Sequence, residues 1–232
     1  MSEQKISRRE KHQKAKRKKQ MQSIGIMILG VLIIVSGIVL VAMTKPKVTE
    51  APQVTYQNVN GNAIGNPDAP VVMEEYFSFG CSHCANYAAD GFPPLLEEYI
   101  NTGKVYFISR PFTNPTDVYG IAAQAALCAS DQGKYFEMYD AIFANFSAYG
   151  YQGNELESMA DSIGLNLDDY KACMSSGKHI STIDEFNAQA TEAGITSTPN
   201  FLVNGELAIV GNREYSIFQE TINQAIAAQS GN

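Results

Sequence analysis

The stretch Pro70–Ser78 (PVVMEEYFS) is rich in β-branched and aromatic residues, is bounded by Asn66-Pro67-Asp68, and runs directly into Phe79-Gly80-Cys81-Ser82-His83-Cys84. A buried strand, a glycine turn and a helix that opens on two cysteines leave few ways for the surrounding chain to fold. The spacing puts both sulfurs on one side of the first helical turn, where a small disulfide ring can form.

Unpaired amides and the helix dipole favour negative charge at a helix N-terminus, so Cys81 is the sulfur whose thiolate is stabilised and the expected nucleophile. His83, between the two cysteines, is expected to add to that stabilisation, which favours the reduced form and makes the disulfide more oxidising. Glu75 lies on the incoming strand, where alternation places it on a buried or half-buried face near Cys84. A carboxylate there is expected to shuttle the Cys84 proton; the competing reading sets Glu75, or its neighbour Glu74, at a solvent-facing edge. Thr198-Pro199, just before the apolar Phe201-Leu202-Val203, suits a cis X-Pro bond entering an edge strand beside the cysteines, the alternative being an ordinary trans turn.

Two cysteines at this spacing are also half of a zinc site. Zinc takes four ligands, usually from a second close pair, whereas Cys128 and Cys173 stand apart in sequence and His12 falls on the far side of the expected membrane. Only His179 is left over, so no metal is expected.

The N-terminus is of a different kind. Nine Lys or Arg lie between Lys5 and Lys19 against one Glu10, and Ile24–Met43 then carries neither charge nor proline. An apolar run of about 20 residues matches a hydrocarbon core of about 30 Å and exceeds the h-region of a cleaved signal. Neither Leu40-Val41-Ala42 nor Thr49-Glu50-Ala51-Pro52 makes a good cleavage site. The reading is a basic cytoplasmic tail (1–23), a transmembrane anchor (24–43), a flexible linker (44–66) of Pro, Thr, Asn, Gln and Gly, and an extracytoplasmic domain (67–232). The tail carries nine positive and two negative charges, and the remainder eight and twenty-two. An acidic domain repels polyanions, which excludes nucleic acid as its partner. All four cysteines follow the anchor, in a space where disulfides persist.

Beyond the motif, Cys81–Asn101 has helical composition with a kink or restart expected at Pro93-Pro94, and Lys104–Arg110 reads as a second strand. Helical segments at 121–130, 134–146, 154–163 and 167–174 make an insertion over about 117–177. A helix at 179–193, a hairpin about Asn204-Gly205 and an amphipathic helix at 215–228 close the chain. Such an order predicts an α/β fold: a mixed sheet with helices on both faces and one inserted all-helical subdomain, preceded by a single transmembrane helix.

Glu75-Tyr76-Phe77-Ser78-Phe79-Gly80-Cys81-Ser82-His83-Cys84 closely resembles the active-site segment of DsbA-like thiol:disulfide oxidoreductases of the thioredoxin-like superfamily. Thr198-Pro199-Asn200-Phe201 is similar to their cis-proline segment, and the insertion matches theirs in place and length. The resemblance covers about residues 60–230 and departs at Ser82, where the best-known members have Pro, a position that bears on redox potential.

It implies a thioredoxin-like fold in which Cys81 exchanges with substrate sulfur, Cys84 resolves, and Ser82, Thr198 and Pro199 contact an extended peptide. It also implies a structural disulfide between Cys128 and Cys173, and no cofactor beyond the redox-active Cys81–Cys84 pair. The partners implied are reduced or unfolded exported proteins and a membrane quinone-linked protein that re-oxidises the enzyme. A monomer is expected, since no dimerisation segment is evident. A membrane-tethered reductase or isomerase of the same fold is the alternative, and a metal-carrying binding module a more distant one.

Overall fold

The computed structural model describes residues 54–147 and 149–230, together with Met21, Met27, Gly30, Val31, Val35, Ser36 and Thr49. Of the expected span 24–43 only five scattered positions are among these, so the anchor lies outside the described residues. Among the described residues no helix is long and apolar enough to cross a membrane.

Alternation writes the two central strands. β3 (Val71–Phe77) and β4 (Val105–Pro111) bury every second side chain at least, and β-branched and aromatic residues fill those positions. They pair in parallel with Glu75 opposite Ser109 and Phe77 opposite Pro111. β5 (Asn200–Val203) lies antiparallel on the other side of β3, and β6 (Glu206–Val210) pairs with β5 through the Asn204-Gly205 turn, where both residues have positive φ.

The linker reading needs correction at its C-terminal end. Val59–Asn60 (β1) and Ala63–Ile64 (β2) form a small hairpin that adds to β4, giving a six-stranded sheet in the order β1-β2-β4-β3-β5-β6. Ala63 and Ile64 are buried, and Tyr56 packs on the rings of Phe92 and Phe136 while hydrogen-bonding Asp140. Polar composition concealed these residues because a two-residue edge strand carries too little pattern to stand out.

Ser82–Asn86 (α1) follows β3. The helix runs on through a π-helical turn Tyr87–Gly91, the α-helical turn Phe92–Leu95 (α2) and a second π-helical turn Leu96–Ile100. Pro93 and Pro94 have no N–H to give, and the chain answers by widening the turns on either side rather than restarting; the junction residues Asn86, Phe92, Leu95 and Leu96 all stay right-handed helical.

The insertion holds four helices: α3 (Val118–Ser130), α4 (Tyr135–Ala144), α5 (Gly153–Ser162) and α6 (Leu167–Ser176). Its ends are chemically marked. The Asp117 carboxylate accepts from the Tyr119 and Gly120 amides, and Gly177 closes α6 at φ 62°. α7 (Ile180–Glu192) leads back to the sheet, and α8 (Tyr215–Ser230) ends the fold.

Aromatic rings weld the insertion to the sheet. Phe77 meets Tyr139 at 5.2 Å, Phe79 meets Phe143 at 4.9 Å and Phe92 meets Phe136 at 5.8 Å between centroids. Each buried ring removes well over 100 Å² from water, so the dithiol loop, which starts at Phe79, is fixed by the core below it.

Candidate active site

β3 delivers the chain to the site and α1 begins on it. Gly80 makes the turn because a Cβ there would sit 2.6 Å from the Tyr119 ring. Cys81 is the N-cap residue, with φ −95° and ψ 116°, and its sulfur takes the place that a Ser or Asp oxygen fills at other helices. The Cys84 amide donates to Cys81 Sγ at 3.4 Å, and Cys81 Sγ lies 3.4 Å from the Thr198 carbonyl, to which it donates only while protonated.

The two sulfurs, both free thiols, differ sharply. Cys81 is half-buried and Cys84 buried. The Cys81 thiol is lowered from 9.0 to about 5: a hydrogen bond from the Cys84 thiol contributes most, burial opposes it, and the Thr198 side chain and the amides of Cys84 and His83 add to the lowering. Cys84 moves the opposite way, pushed well above the ordinary thiol range by burial first, then by its bond to Cys81 and by the charge of Glu75. One sulfur is held as thiolate at neutral pH and the other as thiol.

Glu75 is fully buried on β3, and the solvent-edge reading is excluded. Glu74, next to it on β3, is half-buried and pairs with Arg110 at 2.6 Å. Burial pushes the Glu75 carboxyl up to about 8. The Tyr139 hydroxyl, 3.2 Å from one carboxylate oxygen, pulls the other way, the negative charge of Cys81 pushes it further up, and Ser109 lowers it. Ser109 in turn accepts from the Tyr135 hydroxyl at 3.2 Å.

The structure brings Cys81, Cys84, Glu75, Thr198 and Pro199 together, and the Thr198–Pro199 bond is cis. Ser82 is exposed on the first turn of α1. His83 is exposed on the same turn, and its backbone amide is among the groups that lower Cys81. Cys128 and Cys173 are bonded to each other across α3 and α6, with an S–S distance of 1.99 Å and Cα atoms 5.8 Å apart.

Sequence reasoning missed Tyr139 and Ser109. Ser109 carried a faint signal, as a small polar residue at an inward position of KVYFISR opposite Glu75. Tyr139 carried none, being one of several aromatics on α4 and 64 residues from its partner.

Comparisons with known proteins agree with this geometry. A family model described as Thioredoxin matches residues 57–224. "Putative protein-disulfide oxidoreductase" of Rickettsia typhi is 31% identical over 171 residues, covering 72% of this chain and 61% of the relative. The chain therefore spans about three fifths of the length of that relative. "Probable disulfide bond formation protein D" of Bacillus anthracis is 23% identical over 89% of this chain and 97% of its own. Among solved structures, alpha-DsbA1 of Wolbachia pipientis superposes with a TM-score of 0.62 at 27% identity, covering 77% of this chain and 96% of that one. BdbD of Bacillus subtilis, in its oxidised form, gives a TM-score of 0.65 over 77% and 100% at 19% identity, a likeness of fold.

Proposed function

The chain belongs to the thioredoxin family, in its DsbA-like branch, and from that premise we propose that it is a membrane-anchored, extracytoplasmic oxidoreductase that donates the Cys81–Cys84 disulfide to reduced exported proteins. The anchor and the orientation rest on the uncharged run 24–43 behind a basic tail. The observation that carries the activity is the asymmetry of the two thiols, one held as thiolate at the mouth of α1 and one buried beneath it as thiol.

A substrate thiolate attacks Cys81 Sγ, the Cys81–Cys84 bond breaks, and its electron pair leaves on Cys84 sulfur. Buried Cys84 cannot keep that charge and takes a proton from Glu75, whose burial favours the protonated carboxyl. A second substrate thiolate then attacks the substrate sulfur of the mixed disulfide and expels Cys81, already stabilised as thiolate by the helix mouth. The peptide lies along the Thr198–Pro199 segment, whose carbonyl at Thr198 faces the reacting sulfur. Recycling requires an oxidant that takes two electrons from the dithiol, a role suited to a quinone-linked membrane protein beside the anchor.

The equilibrium potential of the Cys81–Cys84 pair in glutathione buffers, with Cys84→Ser as control, tests the direction. A value well above about −200 mV supports donation; one near −270 mV or lower supports a tethered reductase and overturns the proposal.

A further inference from the structure

Away from the exchange site, the insertion gathers a second set of sulfur, nitrogen and oxygen donors about the Cys128–Cys173 bond. Cys128 on α3 is buried, and Cys173 on α6 is half-buried. His179 stands between α6 and α7, and one ligand atom from each of Cys128, Cys173 and His179 lies within 4.8 Å of the other two. Asp131, at the end of α3, places Oδ2 3.5 Å from Cys173 Sγ and 3.2 Å from His179 Nε2.

The two distances from Asp131 Oδ2 match edges of a coordination polyhedron. Tetrahedral zinc binds sulfur at about 2.3 Å, imidazole nitrogen at about 2.0 to 2.1 Å and carboxylate oxygen at about 2.0 to 2.2 Å, so neighbouring corners lie about 3.5 Å apart for sulfur and oxygen and about 3.3 Å for nitrogen and oxygen. Two edges of such a tetrahedron are thus in place while the disulfide is closed. The sulfur–sulfur edge would be about 3.8 Å, which the two side chains reach by rotation once the bond opens, since their Cα atoms are only 5.8 Å apart.

We propose that reduction of Cys128–Cys173 converts this cluster into a zinc site, with the two thiolates, His179 Nε2 and Asp131 Oδ2 as its four ligands. A dithiol reductant supplies two electrons and two protons to the S–S bond and departs as its own disulfide. Zn²⁺ then displaces the two thiol protons to solvent. Two thiolates and one carboxylate about Zn²⁺ leave one negative charge, which Lys178 offsets; its Nζ is 2.8 Å from both Asp131 oxygens, and its contact with Oδ2 gives way to the metal while that with Oδ1 stays to orient the carboxylate. The same two helices are thus stapled covalently under oxidising conditions and by metal under reducing ones. This inference is independent of the proposed exchange activity.

The test uses the full-length chain in detergent with Cys81→Ser and Cys84→Ser, which removes the other two sulfurs. Zinc binding is read by competition with a chromophoric chelator before and after anaerobic reduction with a phosphine, and Co²⁺ is substituted to detect thiolate-to-metal charge transfer. We expect one zinc per chain after reduction, less than a tenth of that before, and at least a ten-fold weaker affinity in His179→Ala and in Asp131→Asn. Three results would overturn the proposal: no zinc after reduction, equal zinc in a chain that also carries Cys128→Ser and Cys173→Ser, or affinity unmoved by both single variants. A reduced chain whose circular dichroism is lost and does not return on zinc addition overturns it as well.

Discussion

Replacing Glu75 by Gln removes the buried carboxyl while keeping an acceptor for the Tyr139 hydroxyl 3.2 Å away. In the native dithiol form the carboxyl is raised from 4.5 to about 8, mainly by burial. Below pH 4.5 the group is protonated folded and unfolded, and wild type and variant differ little. Between 4.5 and 8 the unfolded chain gives up the proton and the native chain keeps it, so wild type loses about 1.4 kcal/mol per pH unit relative to the variant. Above 8 both states are ionised, and the difference levels off at about 5 kcal/mol in favour of Glu75→Gln. The Cys81 titration occurs in both proteins and cancels in the difference. The assay is denaturant unfolding of both proteins from pH 4 to 9, with the active-site pair reduced by one equivalent of dithiol and the Cys128–Cys173 bond left closed. A difference curve flat to within about 1 kcal/mol across that range would refute the claim that the native fold holds Glu75 protonated.

Alkylation of the dithiol form by iodoacetamide, followed by mass spectrometry, should modify Cys81 with a midpoint near pH 5 and leave Cys84 untouched until unfolding; a midpoint near 9 would show that the helix mouth does not hold the thiolate. Tyr139→Phe removes a donor that lowers Glu75, so the pH–rate profile of exchange should shift its alkaline limb upward from about 8, at a stability cost of about 1 kcal/mol; an unmoved limb would assign the limb to another group. Joint replacement of Cys128 and Cys173 by Ser opens a loop of sequence separation 45, which the chain-entropy account puts at about 4 kcal/mol, read as a lower denaturant midpoint at constant slope.

What the sequence made legible is what carries a local pattern. The strands 71–77 and 105–111 show in their alternation, the start of α1 in the glycine and cysteine that form its cap, and the insertion in helical periods bounded by Asp117 and Gly177. What stayed hidden depends on distant partners. Val59–Asn60 and Ala63–Ile64 become strands only because the edge of β4 is there to pair with, and polar neighbours mask them. Tyr139 reaches Glu75 only once α4 is laid on the sheet by Phe77, Phe79 and Phe143. Ser109 faces Glu75 only through the parallel register of β3 and β4, which neither strand's own alternation states.

The three titrating groups of the site act as one device, because the state of Cys81 biases the other two. The mouth of α1 takes the proton from Cys81, and that negative charge, together with burial, keeps the proton on Glu75. Burial, together with the Cys81 thiolate beside it, keeps the proton on Cys84. At pH 7, one unit below the titration of Glu75 at about 8, about ten chains in eleven hold Glu75 as the acid. An acid beneath Cys84 is the form needed when Cys84 leaves from a disulfide and must be neutralised. A base is the form needed when Cys84 must attack a mixed disulfide, and it is the minority form at neutral pH. The buried acid thus serves the step in which Cys84 leaves, and the direction is set by the stabilised Cys81 thiolate, which makes the dithiol the lower-energy product.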